Sequence, residues 1–197
     1  MNRFIFSLTA ALVLAVSAKA DAPHRHASPY AGQEHRTIKS LSEDDISELR
    51  RGGGWGLAKS AELNGLPGPA HLLELKDDIP LAPGQVRAIR ALFDSMRAEA
   101  MIHGRRLIAL EAQLDAGLRK GDMNETVLRA QLREIAEVRS RLRFTHLATH
   151  LKTPGILSAD QIAAYARLRG YTQADPCAAL PPSGHDADMW RKHMGCR

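Results

Sequence analysis

Aromatic residues are scarce in this 197-residue chain: four Phe, three Tyr and two Trp. Few β-branched runs occur, and none alternates with polar residues, which argues against sheets. Leu, Ala, Arg and Glu dominate instead, a composition that favours helices. Cysteine is almost absent, Cys177 and Cys196 being the only two. Beyond the first twenty residues no apolar run is long enough to cross a bilayer. No dense Lys/Arg run is interleaved with aromatics, so nucleic acid is not an expected partner. Gly-x-Ser-x-Gly, His-Glu-x-x-His, the P-loop and the dinucleotide fingerprint are missing, and no enzyme is expected.

The start of the chain carries an address. Met1-Asn2-Arg3 is short and basic, Phe4 to Val16 is almost wholly apolar, and Ala18-Lys19-Ala20 has the small-x-small pattern of a cleavage site. These are the three parts of a secretory signal, so residues 1–20 are expected to be removed and the protein to work in the periplasm. The whole chain has 27 Lys+Arg against 22 Asp+Glu, a balance of +5. Arg3 and Lys19 leave with the signal, which makes it 25 against 22, or +3. In an oxidising compartment Cys177 and Cys196 are expected to form a disulfide that closes the C-terminal tail, a metal-thiolate role being the alternative.

Helix signals organise the rest. Residues 21–40 are polar and expected to be flexible at their start. Ser42 caps a first helix whose apolar face is Ile46 and Leu49, and Gly52-Gly53-Gly54 ends it. A second helix is predicted from about Trp55 to Asn64, and a short third one over His71 to Leu75. Pro83 and Gln85 open a long helix. Its apolar seam runs Val86, Ile89, Phe93, Met96, Ala100, His103, Leu107, Leu110, Leu114, Leu118, in steps of three and four, to a stop near Gly121. A second long helix runs from about Asn124 to Leu151, with Leu128, Leu132, Ile135, Val138 and Leu142 inside. The short link makes the two antiparallel neighbours. Ser158 and Gln161 form a capping box for a last helix ending at Gly170. The predicted fold is therefore all-α: a long antiparallel hairpin with short flanking helices over 41–171, then a Pro-, His- and Met-rich tail over 172–197.

Two similar helix starts, Leu81-Ala82-Pro83-Gly84-Gln85 and Leu157-Ser158-Ala159-Asp160-Gln161, flank the hairpin. With the export signal they resemble the Leu-Thr-x-x-Gln motifs of the Spy/CpxP family of periplasmic stress proteins, which has heavy-metal-binding relatives such as ZraP and CnrX. Tyr30-Ala31-Gly32-Gln33, the stretch from Ala61 to Pro69, and Leu168-Arg169-Gly170-Tyr171 look like a Spy/CpxP-like subgroup. The first motif departs from the pattern, since Ala82 lacks the capping hydroxyl, a loss of about 1 kcal/mol. The resemblance implies a homodimer that binds unfolded or misfolded envelope proteins without ATP, or restrains a membrane-bound stress sensor. It also implies, as an alternative, a sensor or resistance protein for zinc, copper or nickel.

Three groups of side chains are candidates for such work. His146 and His150 lie four apart on one helix face, with Met96 opposite them across the hairpin; two imidazoles and a thioether suit copper, nickel or zinc. Hydrogen-bonded histidines without metal are the bland alternative, and His103 lies too far along to join them. In the tail, His185, His193 and Met194 form a second candidate metal set beside Cys196. No cofactor is required by either. Arg87, Arg90, Arg97, Arg105 and Arg133 mark the outer faces of the long helices and are the candidate client-binding residues. Glu111, at the edge of the apolar seam, is expected to pair with Arg133.

Overall fold

The computed structural model describes residues 28–172 and 186–193, and within them the fold is all-α with no strand. The expected export signal, Cys177, Cys196, His185 and Met194 lie outside the described residues. No helix among those described is long and apolar enough to cross a membrane. The chain divides into two units, one ending at Glu34 and one beginning at His35. In the first, residues 28–33 make tight turns, with Ala31 N–H on the Ser28 carbonyl at 3.0 Å.

Local chemistry sets the helix ends of the second unit. Helix α1, Glu43–Arg51, begins at Ser42, whose hydroxyl accepts from the Asp45 N–H while the Asp45 carboxylate accepts from the Ser42 N–H at 2.8 Å. Gly52, in the left-handed region at φ 70°, ends it. The second helix is shorter than its sequence predicts. Gly54 to Ala58 turns instead of coiling, and α2 is only Lys59–Leu63. Gly56 at φ 69° and Trp55 at φ 43° account for the break, since both leave the helical region. Trp55 is held there by its Nε1–H on Asp45, at 2.7 Å, and by the Arg139 guanidinium 4.9 Å from its ring centroid. Helix α3, Pro69–Glu74, starts on a proline, which has no N–H to leave unpaired.

Helix α4, Pro83–Lys120, is the spine of the molecule. At 38 residues it is roughly 57 Å long. Gly121, at φ 72°, stops it. Asn124 then caps α5, Glu125–His150, which packs along α4. A 3₁₀ turn, Thr153–Ile156, leads to α6, Ala159–Leu168. A further short helix, α7, spans Ala187–His193.

The two similar helix starts touch each other. Gln85 Oε1 accepts from the Ala82 N–H at 2.8 Å, and Gln161 Oε1 accepts from the Ser158 N–H at 2.9 Å. Each side-chain amide then donates to the other glutamine, at 2.8 and 2.9 Å, and to the chain entering the other helix, at Ile156 and Pro80. Ala82 has no oxygen to cap with, so only the glutamine half of that box exists.

Two apolar cores sit along α4. One gathers Ile38, Leu41, Ile46, Leu49, Ala100, Leu107, Leu110, Ile135 and Leu142. The other gathers Leu72, Leu73, Ile79, Ile89 and Tyr165. Ile38 is buried, and Ser40 donates to Glu111 at 2.9 Å, so the helical body begins a few residues before 41. Two seam positions read as interior are instead exposed: Leu118 and Leu132, at 58% and 46%. Both stand near the Gly121 end, beyond the reach of the first core. Glu111 pairs with Arg139 at 3.6 Å and Ser40, not with Arg133, which stays on the outer face of α5.

Candidate functional site

Between the two cores lies a cavity of about 790 Å³, open on one side. The turn of residues 52–56, helices α2 and α3, and the facing stretches of α4 and α5 line it. Met96, His146 and His150 all line it, as does Phe93. The three residues are buried, His146 to 2% exposure, His150 to 5% and Met96 to 7%. Met96, expected opposite this histidine couple, lines the same cavity as both. Arg97 also lines the cavity, its Nε–H donating to the Arg51 carbonyl at 3.1 Å.

His150 has one ring nitrogen engaged. Its Nδ1 is 3.0 Å from the Leu66 carbonyl, which can only accept, so Nδ1–H is the donor. The backbone that supplies this carbonyl is fixed by Thr153, whose buried hydroxyl donates to the Pro67 carbonyl at 2.6 Å. His146 has no such partner at Nε2, which is buried and unbonded. Burial, and secondarily the charge of His150, lower the His146 pKa below 6.5, so its imidazole is neutral.

Glu62 organises the opposite wall. Its Oε1 accepts from His71 Nδ1 at 3.0 Å; its Oε2 accepts from the Tyr165 hydroxyl at 2.6 Å and the Tyr171 hydroxyl at 3.1 Å. Burial by itself would raise its pKa. The hydrogen bonds from His71 and Tyr165, with the nearby imidazoles, outweigh that and hold it down at about 2. Burial, with the bond to Glu62, pushes the Tyr165 hydroxyl far up, so it stays a donor. Gly68 is the spacer: a Cβ there would meet Glu62 Oε1 at 2.5 Å and His150 Cε1 at 2.8 Å. Any side chain at this position would force the carboxylate and the imidazole apart.

No three His, Cys, Asp or Glu groups converge closely enough to hold a metal ion among the described residues. Met96, His146 and His150 share the cavity wall, and His146 Nε2 is buried there without a hydrogen-bond partner.

Other sequence candidates stand elsewhere. Arg87, Arg90, Arg105 and Arg133 are exposed and dispersed along α4 and α5. His103, as expected, is outside the cavity, 3.6 Å from Glu99. His193 ends α7, while His185, Met194, Cys177 and Cys196 lie outside the described residues. Glu62, His71, Tyr165 and Tyr171 were missed as site residues; they come from separate elements, with no shared spacing to signal them. No protein-family model, curated protein or solved structure matches this chain.

Proposed function

We propose that this chain is a periplasmic, Spy/CpxP-like protein whose α4 and α5 form the antiparallel hairpin, and that it binds a transition-metal ion in the cavity lined by Met96, His146 and His150. The observation that carries this is the buried, unbonded Nε2 of His146 in the cavity that His150 and Met96 also line. A buried polar atom left without a partner costs about 1–3 kcal/mol. A metal ion supplies the missing partner and turns that cost into affinity. The role is sensing or sequestering a heavy metal outside the cytoplasm, with no catalysis. The test is a titration of metal-free, signal-cleaved protein with zinc, nickel and copper. Binding should be micromolar or tighter, and His146→Ala with His150→Ala should abolish it. Binding that survives this pair, but is lost on truncation after Tyr171, would move the site to the tail.

A second reading, an ATP-independent chaperone or stress accessory acting on unfolded envelope proteins or a membrane-bound sensor, is favoured by the outer surface. Arg87, Arg90, Arg105 and Arg133 enter no ion pair among the described residues. Ile102 and Phe144 are exposed on the same long helices, and Leu151 just past the end of α5. Leu128, Leu132, Arg129 and Arg133 line a shallow depression along α5. Such a mixture of unpaired charge and shallow apolar surface suits loose, salt-sensitive capture of clients, by a homodimer as in the family it resembles. Suppression of aggregation of a reduced model protein at stoichiometric amounts supports it; no suppression at any salt concentration removes it.

A further inference from the structure

We propose that Gly54 to Gly56 form a gate in the wall of the cavity, and that the Trp55 side chain is the latch that holds it shut. The gate governs access to the cavity, whatever the cavity binds. Three observations on this segment carry it.

The first is its backbone. Trp55, at φ 43°, is the only non-glycine residue with a positive φ among those described. A bulky residue is strained there, and such a conformation persists only where the surroundings hold it. On either side, Gly54 and Gly56 have nothing within 4 Å of where a Cβ would stand, so packing does not confine them.

The second is how little ties the segment down. Its backbone bonds reach only near neighbours: Leu57 N–H donates to the Gly54 carbonyl at 2.8 Å and Lys59 N–H to the Gly56 carbonyl at 3.3 Å. Among the described residues, one hydrogen bond from Gly54–Gly56 reaches further, that of Trp55 Nε1–H to Asp45 of α1 at 2.7 Å. The Arg139 guanidinium over the indole and partial packing of Trp55 on the first core complete the hold. A segment with so few bonds opens at lower cost than the fold as a whole.

The third is its place. The residues just before it are fixed. Gly53 N–H donates to the Glu48 carbonyl at 2.8 Å, and a Cβ on Gly52 would meet the Arg97 carbonyl oxygen at 2.7 Å. The hinge therefore falls at Gly54. Gly54, Trp55 and Gly56 line the same cavity as His146, whose side chain is buried.

The test compares the full chain with its Trp55→Phe and Gly54→Ala variants. Amide exchange is followed by mass spectrometry, and histidine labelling by diethyl pyrocarbonate is followed by peptide mapping. Trp55→Phe keeps an aromatic ring for Arg139 and removes the indole N–H. It should speed exchange over residues 53–58 at least about fivefold, through loss of a hydrogen bond to a charged group. Gly54→Ala places its Cβ in open space and narrows the states open to the loop, so it should slow that exchange about twofold. His146 labelling should follow exchange in both directions, while His103, outside the cavity, keeps its rate. Unchanged exchange in Trp55→Phe would overturn the latch. A rise shared by α1 and α4 would overturn it too, as general loosening of the fold. His146 labelling indifferent to both variants would overturn the gate. None of these results decides metal binding, which the titration of the histidine variants tests separately.

Discussion

His146 is neutral in the fold because burial disfavours its charged form. Below pH 6.5 the unfolded chain takes up a proton at this position that the folded chain resists. The stabilising effect of neutral His146 is thus fully present above pH 6.5 and is lost as pH falls through the lowered folded value. Glu62 follows in a second, more acid window. Its folded pKa of about 2 lies below the ordinary 4.5, so its contribution is present above 4.5 and lost as pH falls toward 2. Melting temperature against pH should fall in two stages, and His146→Leu should flatten the first alone while removing metal binding. A single loss confined below pH 4.5 would contradict the assignment to His146. At pH 7, Glu62→Gln should cost about 2 kcal/mol, because three donors lose their ionised acceptor. Chemical denaturation measures this, and an unchanged midpoint would mean that the Tyr165 and Tyr171 bonds carry little.

Two contacts between elements bear direct tests. Gly104 faces the backbone of α1 so closely that a Cβ would lie 2.9 Å from the Leu49 carbonyl carbon. Gly104→Ala should cost about 1–3 kcal/mol through forced separation of α1 and α4, although alanine is the better helix former. A more stable variant in thermal melts would show that α1 yields easily. Gln85 and Gln161 each bond both the other's amide and the chain entering the other's helix. Their single losses should not add: a double-mutant cycle to Ala should give a coupling of about 1 kcal/mol. Additive losses would mean that each acts only on its own helix. These helix ends were legible in the sequence, because Ser42, Pro83, Asn124, Ser158 and the closing glycines act on neighbours a few residues away. The helix predicted from Trp55 was not, since the strained turn at Trp55 depends on Asp45 and Arg139, which no local pattern connects to it.

At the scale of the molecule, the candidate site sits where the two apolar cores leave a gap along α4. Half of it could be read from sequence. His146 and His150 are one helical turn apart on α5, Met96 is expected opposite them from the short link after Gly121, and all three line the cavity. The other half, Glu62, His71, Tyr165 and Tyr171, comes from α2, α3, α6 and the residues just after it. Only the packing of short elements joins them. A bound ion would tie α4 and α5 together, so metal should raise the melting temperature of the unaltered chain. At a hundredfold excess over its dissociation constant the gain is about 2.7 kcal/mol. The most direct measurement is an anomalous-difference map from crystals of the full chain loaded in turn with zinc, nickel and copper. A peak should lie between His146 Nε2, His150 Nε2 and the Met96 sulfur. A peak only among the tail residues, or none, would contradict a metal site in the cavity.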